Sequence, residues 1–211
     1  VSLPLARAGY EIDAYDLSKE MVSVFRKKLT EENEAVRKRV HLFEADMTNY
    51  IGNQKYSLII VPFRAFQLLT SENGAHLFLK RVHQQLTDDG VFIINTFRPY
   101  GKLDLSWVRE EMKDWSAINP ETNRIVRRTS IRKKIALERQ ITYSELIYHV
   151  EQPDGSFESK VEKIAMKYYY EEQLRELLIL NNFKIKEQYG YYDYRPIDNG
   201  PELIFVCEKH R

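Results

Sequence analysis

Acidic and polar side chains follow the apolar segments of this 211-residue chain where predicted strands end. Asp16 comes directly after the segment 10–15, and the pair Asp46-Met47 comes directly after the segment 40–45. In an open parallel sheet, ligands bind beyond the carboxyl ends of the strands. A carboxylate at Asp16 can accept hydrogen bonds from both hydroxyls of a ribose, and one at Asp46 can accept from an adenine amino group.

A third strand end carries an aromatic and a basic residue. The apolar run 56–61 ends at Pro62, and Phe63 and Arg64 follow it. Phe63 is placed to form a pocket wall, and Arg64 can reach an anionic group. Each of the three sites also has a purely structural explanation. Asp16 can help Ser18 to cap the next helix, Asp46 can be a loop acid beside a core methionine, and Arg64 can be solvated.

The elements that must position these residues follow from apolar spacing. Residues at helical spacing predict helices after Ser18 and around residues 75–86, with a short helix before Gly9. Strands are predicted over residues 10–15, 40–45, 56–61 and 91–94. Residues 31–39 are predicted to form a solvated helix end and a loop, and Asp88-Asp89-Gly90 is predicted to form a turn. Strands that alternate with helices in this way predict a mainly parallel, doubly wound α/β sheet.

The pattern changes in the middle of the chain. Residues 124–169 have little helical periodicity, and Pro153-Asp154-Gly155 is typical of a hairpin turn. We therefore expect about three antiparallel strands there, preceded by a linker that holds Trp107 and Trp115. A final helix around residues 174–179 and two last strands, 183–188 and 203–208, complete the sequence.

Composition limits the classes of function. Lys plus Arg number 32 and Asp plus Glu number 31, a net charge of +1 that argues against a partner held by charge alone. The single cysteine, Cys207, fits a reducing, cytoplasmic compartment, and no apolar run approaches the length of a membrane helix. His, Cys and carboxylate residues show no metal-ligand spacing, so no metal is expected.

Taken together, the strand ends resemble those of class I S-adenosylmethionine-dependent methyltransferases. The segments that carry the resemblance are AGYEIDAYDLSKEM, FEADMTNY, YSLIIVPFRAFQLL and LKRVHQQLTDDGVFIINTF. It implies a Rossmann-like domain over residues 1–97 and 170–211 that binds S-adenosyl-L-methionine. Residues 98–169 would form an inserted antiparallel β subdomain over the active site, similar to that of sugar N,N-dimethyltransferases and glycine N-methyltransferases.

The resemblance also assigns residues to the site. Asp16 would bind the ribose hydroxyls, Asp46 the adenine amino group, and Met47 would offer its backbone N–H and side chain. The full cofactor set comprises Asp16, Leu17, Ser18, Asp46, Met47, Val61 and Phe63. Substrate contacts are expected from four residues that follow strand ends: Arg64, Gln67, Arg98 and Tyr100. No residue is assigned as a catalytic base.

Two departures from the family pattern concern glycine, of which the sequence has eight. The family's loop Glu/Asp-x-Gly-x-Gly-x-Gly and the strand before it would precede Val1. We therefore expect the native chain to be longer by a strand and loop of about 10–15 residues. The usual Pro-Gly-Gly turn is Asp88-Asp89-Gly90 here, which keeps one glycine.

The expected reaction is in-line transfer of a methyl group to a nitrogen or oxygen of a small molecule. Two alternatives stay open: an NAD(P)-dependent Rossmann oxidoreductase, since an acid after the second strand also suits a dinucleotide ribose, and a non-catalytic methyltransferase-like binding protein. No membrane partner is expected, and a homodimer is left open.

A stretch rich in basic residues lies within the antiparallel part. Seven basic residues and a single acid, Glu138, lie between positions 124 and 139: Arg124, Arg127, Arg128, Arg132, Lys133, Lys134 and Arg139. They fit either a solvated outer face or a surface for an anionic substrate or RNA. The first interpretation is favoured because the apolar residues of this stretch fall at odd positions, which puts much of the charge on the opposite face: Ile125, Ile131, Ile135 and Leu137. A nucleic-acid partner is not the expected one.

Overall fold

The computed structural model describes residues 1–210 of the chain, which form five α-helices and ten strands. The helices are α1 (Ser2–Arg7), α2 (Lys19–Thr30), α3 (Glu34–Lys38), α4 (Glu72–Gln85) and α5 (Glu171–Leu180). The strands are β1 (Ile12–Asp16), β2 (Val40–Glu44), β3 (Tyr56–Val61), β4 (Leu86–Phe97), β5 (Arg109–Ile118), β6 (Ile125–Ala136), β7 (Ile141–Glu151), β8 (Phe157–Lys167), β9 (Phe183–Tyr189) and β10 (Glu202–Lys209). No helix among these residues is long and apolar enough to cross a membrane.

The first sheet consists of β1 and β2, which pair in parallel from Ile12 with Val40 to Asp16 with Glu44. Helices α1 to α3 cover it, and Ala6, Val36 and Val40 form its small buried core. Ser18 caps α2 as predicted, because its Oγ accepts a hydrogen bond from the N–H of Met21 at 3.2 Å.

The second sheet has the order β3-β4-β10-β9 and carries the main core. Strands β3 and β4 are parallel, whereas β10 is antiparallel to both β4 and β9. Apolar faces of α4 and α5 bury Phe78 and Leu174 in the core that also holds Phe92 and Phe205. Between the two sheets, the hydroxyl of Tyr56 donates to Asp13 Oδ2 at 2.5 Å.

The α/β part differs from the sequence prediction in three respects. The second sheet is mixed rather than parallel, because β10 runs antiparallel to both β4 and β9, whereas the first sheet is parallel as predicted. Residues 34–38, predicted within a solvated helix end and loop, form a separate helix that Asn33 caps through the N–H of Val36. Asp88-Asp89-Gly90 lies within β4 as an irregularity in the ladder, where the register moves from Tyr56–Leu86 to Leu58–Val91.

The third sheet is entirely antiparallel, with the order β5-β6-β7-β8. It lies within the segment 98–169 that the sequence assigns to an insertion, and it has four strands rather than about three. Trp115 lies in β5, whereas Trp107 lies in a 3₁₀ turn, Leu105–Trp107, before it. Nearly all of β5 is exposed, so the strand lacks the apolar alternation by which a half-buried strand is recognised.

Contacts at both ends of the antiparallel sheet join it to the rest of the molecule. At one end, the buried Gln67 donates through Nε2 to the carbonyl of Lys167 in β8 at 2.9 Å. At the other end, Lys27 in α2 forms an ion pair of 2.7 Å with Glu121 in the β5–β6 turn. The antiparallel sheet therefore reaches from the turn after β3, which holds Gln67, to helix α2, which holds Lys27.

Candidate functional site

The carboxyl ends of β1 and β2 lie side by side. The N–H of Ala45 donates to the carbonyl of Asp16 at 3.1 Å, so the loops after the two strands begin next to each other. The Asp16 carboxylate accepts from the N–H of Ser18 through Oδ1 at 2.8 Å. Leu17 between them is 69% exposed. Oδ2 of Asp16 has no hydrogen-bond partner among residues 1–210, which leaves it available to a ligand.

Asp46 repeats this arrangement after β2. Its Oδ1 accepts from both the N–H and the hydroxyl of Thr48, each at 2.7 Å. These bonds, the backbone N–H first and the hydroxyl second, hold the pKa of Asp46 below its ordinary value. Oδ2 has no hydrogen-bond partner in the described part of the chain. Met47 packs against the main core. Asp16 and Asp46 thus have the structural roles that the sequence also allowed, and each still keeps one carboxylate oxygen without a partner among the described residues.

The turn after β3 is conformationally unusual. Val61 is buried at the end of the strand, and the next residues after Pro62, Phe63 and Arg64, have φ angles of 56° and 65°. Two consecutive non-glycine residues in the left-handed region are costly, and such conformations cluster at functional sites. The turn leaves the Phe63 side chain 73% exposed at the strand ends.

A buried carboxylate stabilises this turn. Asn95 in β4 accepts from the N–H of Arg64 at 3.0 Å and donates to Glu202 Oε2 at 2.6 Å. The Arg64 guanidinium meets the same Glu202 carboxylate, with Nε 3.1 Å from Oε1 and with NH2 also bonded to it. The Glu202 side chain is 7% exposed, so Arg64 neutralises a buried charge. Arg64 therefore has an internal partner, and the substrate contact expected from sequence stays a prediction.

Tyr192 lies near the same turn, where it interacts with Glu202, Arg64 and the Phe63 backbone. Burial first, and the nearby Glu202 second, raise the pKa of its phenol, while Arg64 and a hydrogen bond from the Phe63 backbone act in the opposite direction. Sequence reasoning missed Asn95 and Glu202. Glu202 had one signal, since it is an acid that directly precedes the apolar run 203–206.

The remaining predicted substrate residues differ in exposure and in their partners. Gln67 is fully buried, and its Oε1 accepts from the N–H of Phe97 at 2.9 Å while its Nε2 holds Lys167. Arg98 binds Asp198, through the backbone carbonyl and through Oδ1 at 3.3 Å. Tyr100 is 70% exposed. Gln67 thus joins the antiparallel sheet to β4, whereas Tyr100 remains accessible to a ligand.

Metal ligation has no visible basis in the part of the chain that the structure describes. No group of three or more His, Cys, Asp or Glu residues there could hold a metal ion. The polar features at the strand ends are instead hydrogen-bond acceptors, Asp16 and Asp46, beside an exposed aromatic ring, Phe63.

Comparison with known proteins identifies the fold. No family model and no curated protein matches the chain. Among solved structures, an S-adenosylmethionine-dependent methyltransferase from Clostridium acetobutylicum superposes with a TM-score of 0.80 at 17% identity, over 98% of this chain and 78% of that one. The CcbJ methyltransferase from Streptomyces caelestis gives 0.80 at 16% identity, over 99% and 78%.

A third structure of this kind was solved with cofactor bound. It is SAM-bound CalS10, an amino pentose methyltransferase from Micromonospora echinaspora, which gives a TM-score of 0.67 at 14% identity over 94% of this chain and 74% of that one. At such identities the likeness establishes the fold alone. The chain has the α/β fold of S-adenosylmethionine-dependent methyltransferases.

Proposed function

We propose that the protein is an S-adenosylmethionine-dependent methyltransferase that acts on a small molecule and methylates a nitrogen or oxygen nucleophile. The observation that carries the proposal is the pair of carboxylates at the adjacent ends of β1 and β2. Asp16 and Asp46 each use Oδ1 to hold their own loop and keep Oδ2 without a partner among the described residues. The fold shared with methyltransferases of solved structure supports the same conclusion.

These acids suit the two polar parts of an adenosine. Asp16 is exposed and would accept from the ribose hydroxyls, with Leu17 and Ser18 beside the sugar. Asp46, whose pKa is lowered by Thr48, is a carboxylate at neutral pH and would accept from the adenine amino group. Met47 would offer its backbone N–H and thioether to the base. Val61 and Phe63 would border the place of methyl transfer.

When bound, S-adenosylmethionine supplies an electrophilic methyl group on a sulfonium, which a nucleophile displaces in line. The task of the protein is then to align the acceptor and to exclude water. The ring of Phe63, a residue of the left-handed turn that Asn95 holds, would help with both. An amine acceptor needs only to be unprotonated, whereas a hydroxyl acceptor needs a base, for which we assign no residue.

The antiparallel sheet would cover the acceptor. It is anchored beside the turn after β3 by Gln67 and beside the end of β1 by the ion pair between Lys27 and Glu121. Tyr100 and Arg98, in the segment between β4 and the sheet, would then border the acceptor site.

Two other functions remain as alternatives. An NAD(P)-dependent oxidoreductase would also use an acid at the position of Asp16. A methyltransferase-like protein that binds ligands without catalysis would keep the same acids. The pair Asp46-Met47 and the late strands β9 and β10 favour the methyltransferase.

Calorimetric titration tests the proposal directly. The protein should release heat with S-adenosylmethionine and S-adenosylhomocysteine and none with NAD. The variants Asp16→Asn and Asp46→Asn should bind about tenfold more weakly or worse, because each loses a charge-assisted hydrogen bond. Asp89→Asn serves as the matched control, since this exposed acid lies near the opposite end of β4. Absence of heat with both sulfur compounds, or binding of NAD instead, would overturn the proposal.

A further inference from the structure

One face of the antiparallel sheet carries three arginines and two tryptophans, here called the arginine face: Arg109, Arg128, Arg132, Trp107 and Trp115. Arg128 lies over Trp115 at 5.6 Å from the ring centroid, and Arg132 lies over Trp107 at 5.0 Å. Side chains alternate between the two faces of a strand. The neighbours of Arg128 in β6, Arg127 and Thr129, therefore point to the opposite face, where Thr129 meets His149.

The three arginines of this face are not equally neutralised. Arg128 binds Asp114, with Nε 3.0 Å from Oδ2, and Ser130 occupies the other oxygen of that carboxylate. Neither Arg109 nor Arg132 forms an ion pair with any residue from 1 to 210. The strand register nevertheless places these two directly opposite each other in the β5–β6 ladder. Two partly buried cations are thus brought together without an ion-pair partner among the described residues.

The hydrogen bonding of Arg109 is also incomplete. Its NH2 reaches Ser130 Oγ at 3.4 Å, a long contact, and its Nε is buried without a partner in the described residues. Burial and the neighbouring Arg109 lower the pKa of Arg132, although Asp114 partly offsets them. Such an arrangement costs free energy unless an anion is bound between the two guanidinium groups.

The arginine face lies on the side of the sheet that also carries Lys160. Tyr148 stacks edge-on against Trp115, and Lys160 is the partner of Tyr148 in β8. Lys160 and Glu20 in α2 act on each other electrostatically, and α2 begins just after Asp16. The row of side chains that runs from Trp115 through Tyr148 to Lys160 therefore ends near the start of α2.

Arg132 is connected through the ladder to β8, the strand that Gln67 holds. It pairs with Ser144, which pairs with Ile164 in β8. Ile164 precedes Lys167, the residue held by Gln67, by three positions, or about 10 Å of strand.

We propose that Arg109 and Arg132 together bind an oxyanion of the methyl acceptor, so that the substrate is a small molecule with a carboxylate or a phosphate group. The inference rests on the proposed function. The guanidinium groups supply parallel N–H donors that match the oxygens of such a group, and Trp107 holds the plane of Arg132. The unpartnered Nε of Arg109 would then acquire an acceptor.

The number of free cations argues for a small anion rather than a nucleic acid. A nucleic acid needs a track of several cations, whereas this face has two without an acidic partner in the described residues, since Asp114 neutralises Arg128. The net charge of +1 for the whole chain agrees with that limit.

The two tryptophans of the chain provide a direct probe of the site. In a Trp115→Phe background, Trp107 is the sole tryptophan and lies under Arg132. Inorganic phosphate and acetate, titrated separately at constant ionic strength, should change its fluorescence in a saturable manner, and the tighter of the two indicates the kind of oxyanion. Arg109→Gln and Arg132→Gln should weaken that binding about tenfold or more, because each removes charge-assisted hydrogen bonds.

Arg127→Gln is the matched control, since Arg127 lies on the opposite face over Phe157 at 4.7 Å. Its affinity for phosphate should be unchanged. Should Arg132→Gln fail to fold, as judged by circular dichroism, Arg132→Lys preserves the charge and should still bind more weakly, because it loses the planar fork. Each glutamine variant is also titrated with S-adenosylmethionine, whose binding should be retained.

Three results would overturn the inference. They are a fluorescence response that does not saturate, an equal loss in Arg127→Gln, and tight binding of a single-stranded RNA that depends on all the arginines of β6. Failure of the proposed function looks different, because S-adenosylmethionine would then give no heat while phosphate still bound at the arginine face.

Discussion

The guanidinium of Arg64 and the carboxylate of Glu202, 138 residues apart in the chain, form a two-nitrogen ion pair at the end of the second sheet. Asn95 completes the group by bonding both the Arg64 backbone and the second oxygen of Glu202. The turn that presents Phe63 is therefore determined by β4 and β10 rather than by its own sequence. Disturbing the pair should alter both the stability of the protein and the position of that ring.

Arg64→Ala should lower the free energy of unfolding by about 2 kcal/mol, a figure reduced from the cost of a fully buried pair because Arg64 is partly exposed. The loss arises because Glu202 stays buried without its cation. In the double variant Arg64→Ala/Glu202→Gln, part of that loss should be recovered. Urea unfolding measures both. Arg195→Ala, which breaks the exposed pair with Asp193, is the control and should cost less than about 1 kcal/mol. A double variant no more stable than Arg64→Ala would contradict this account.

Gln67→Leu should detach the antiparallel sheet from β4. The substitution keeps the bulk of the side chain but leaves the carbonyl of Lys167 and the N–H of Phe97 without partners, at a cost of about 2–3 kcal/mol. Limited proteolysis should then cut the segment 98–108 faster than in the parent protein. Gln84→Leu, at an exposed position of α4, should change neither quantity. Unchanged proteolysis in Gln67→Leu would show that other contacts hold the sheet.

Thr48→Val should raise the pKa of Asp46 towards its ordinary value without reaching it, because the stronger bond, from the Thr48 N–H, is retained. The lowered pKa stabilises the folded protein above the ordinary pKa of the carboxyl, and this contribution is lost as the pH falls through the folded-state value. The variant should therefore lose less stability on acidification. A carbon-detected NMR titration of the Asp46 carboxyl measures the shift. Thr48→Ser keeps a hydroxyl and should titrate like the parent, and a Thr48→Val titration identical to the parent would refute the assignment.

Cys207 should be unreactive in the folded protein. It is fully buried in β10, and burial raises the pKa of its thiol to about 12, so that little thiolate forms at neutral pH. Iodoacetamide should label it only through unfolding, at a rate that rises steeply in urea and that mass spectrometry can follow. Labelling of the native protein as fast as that of the unfolded chain would show that β10 opens readily.

Local patterns were enough to predict much of the α/β part. The apolar runs of β1, β2 and β3 and the Ser18 cap of α2 depend on neighbours within a few residues, and the structure has them where the sequence predicts them. Asp16 and Asp46 are found at strand ends for the same reason. The short helix α3 and the exposed strand β5 were not predicted, because neither contains enough apolar residues at a regular spacing.

The sequence by itself thus determined the order of the elements other than α3 and β5, and the acids at the ends of the first two strands. Tertiary structure decided which distant side chains meet. Arg64 meets Glu202 only when β10 lies beside β4, and Arg109 faces Arg132 only in one register of the β5–β6 ladder. Shifting a strand by one residue turns every side chain to the other face, so such pairs depend on which strands become neighbours and in which register.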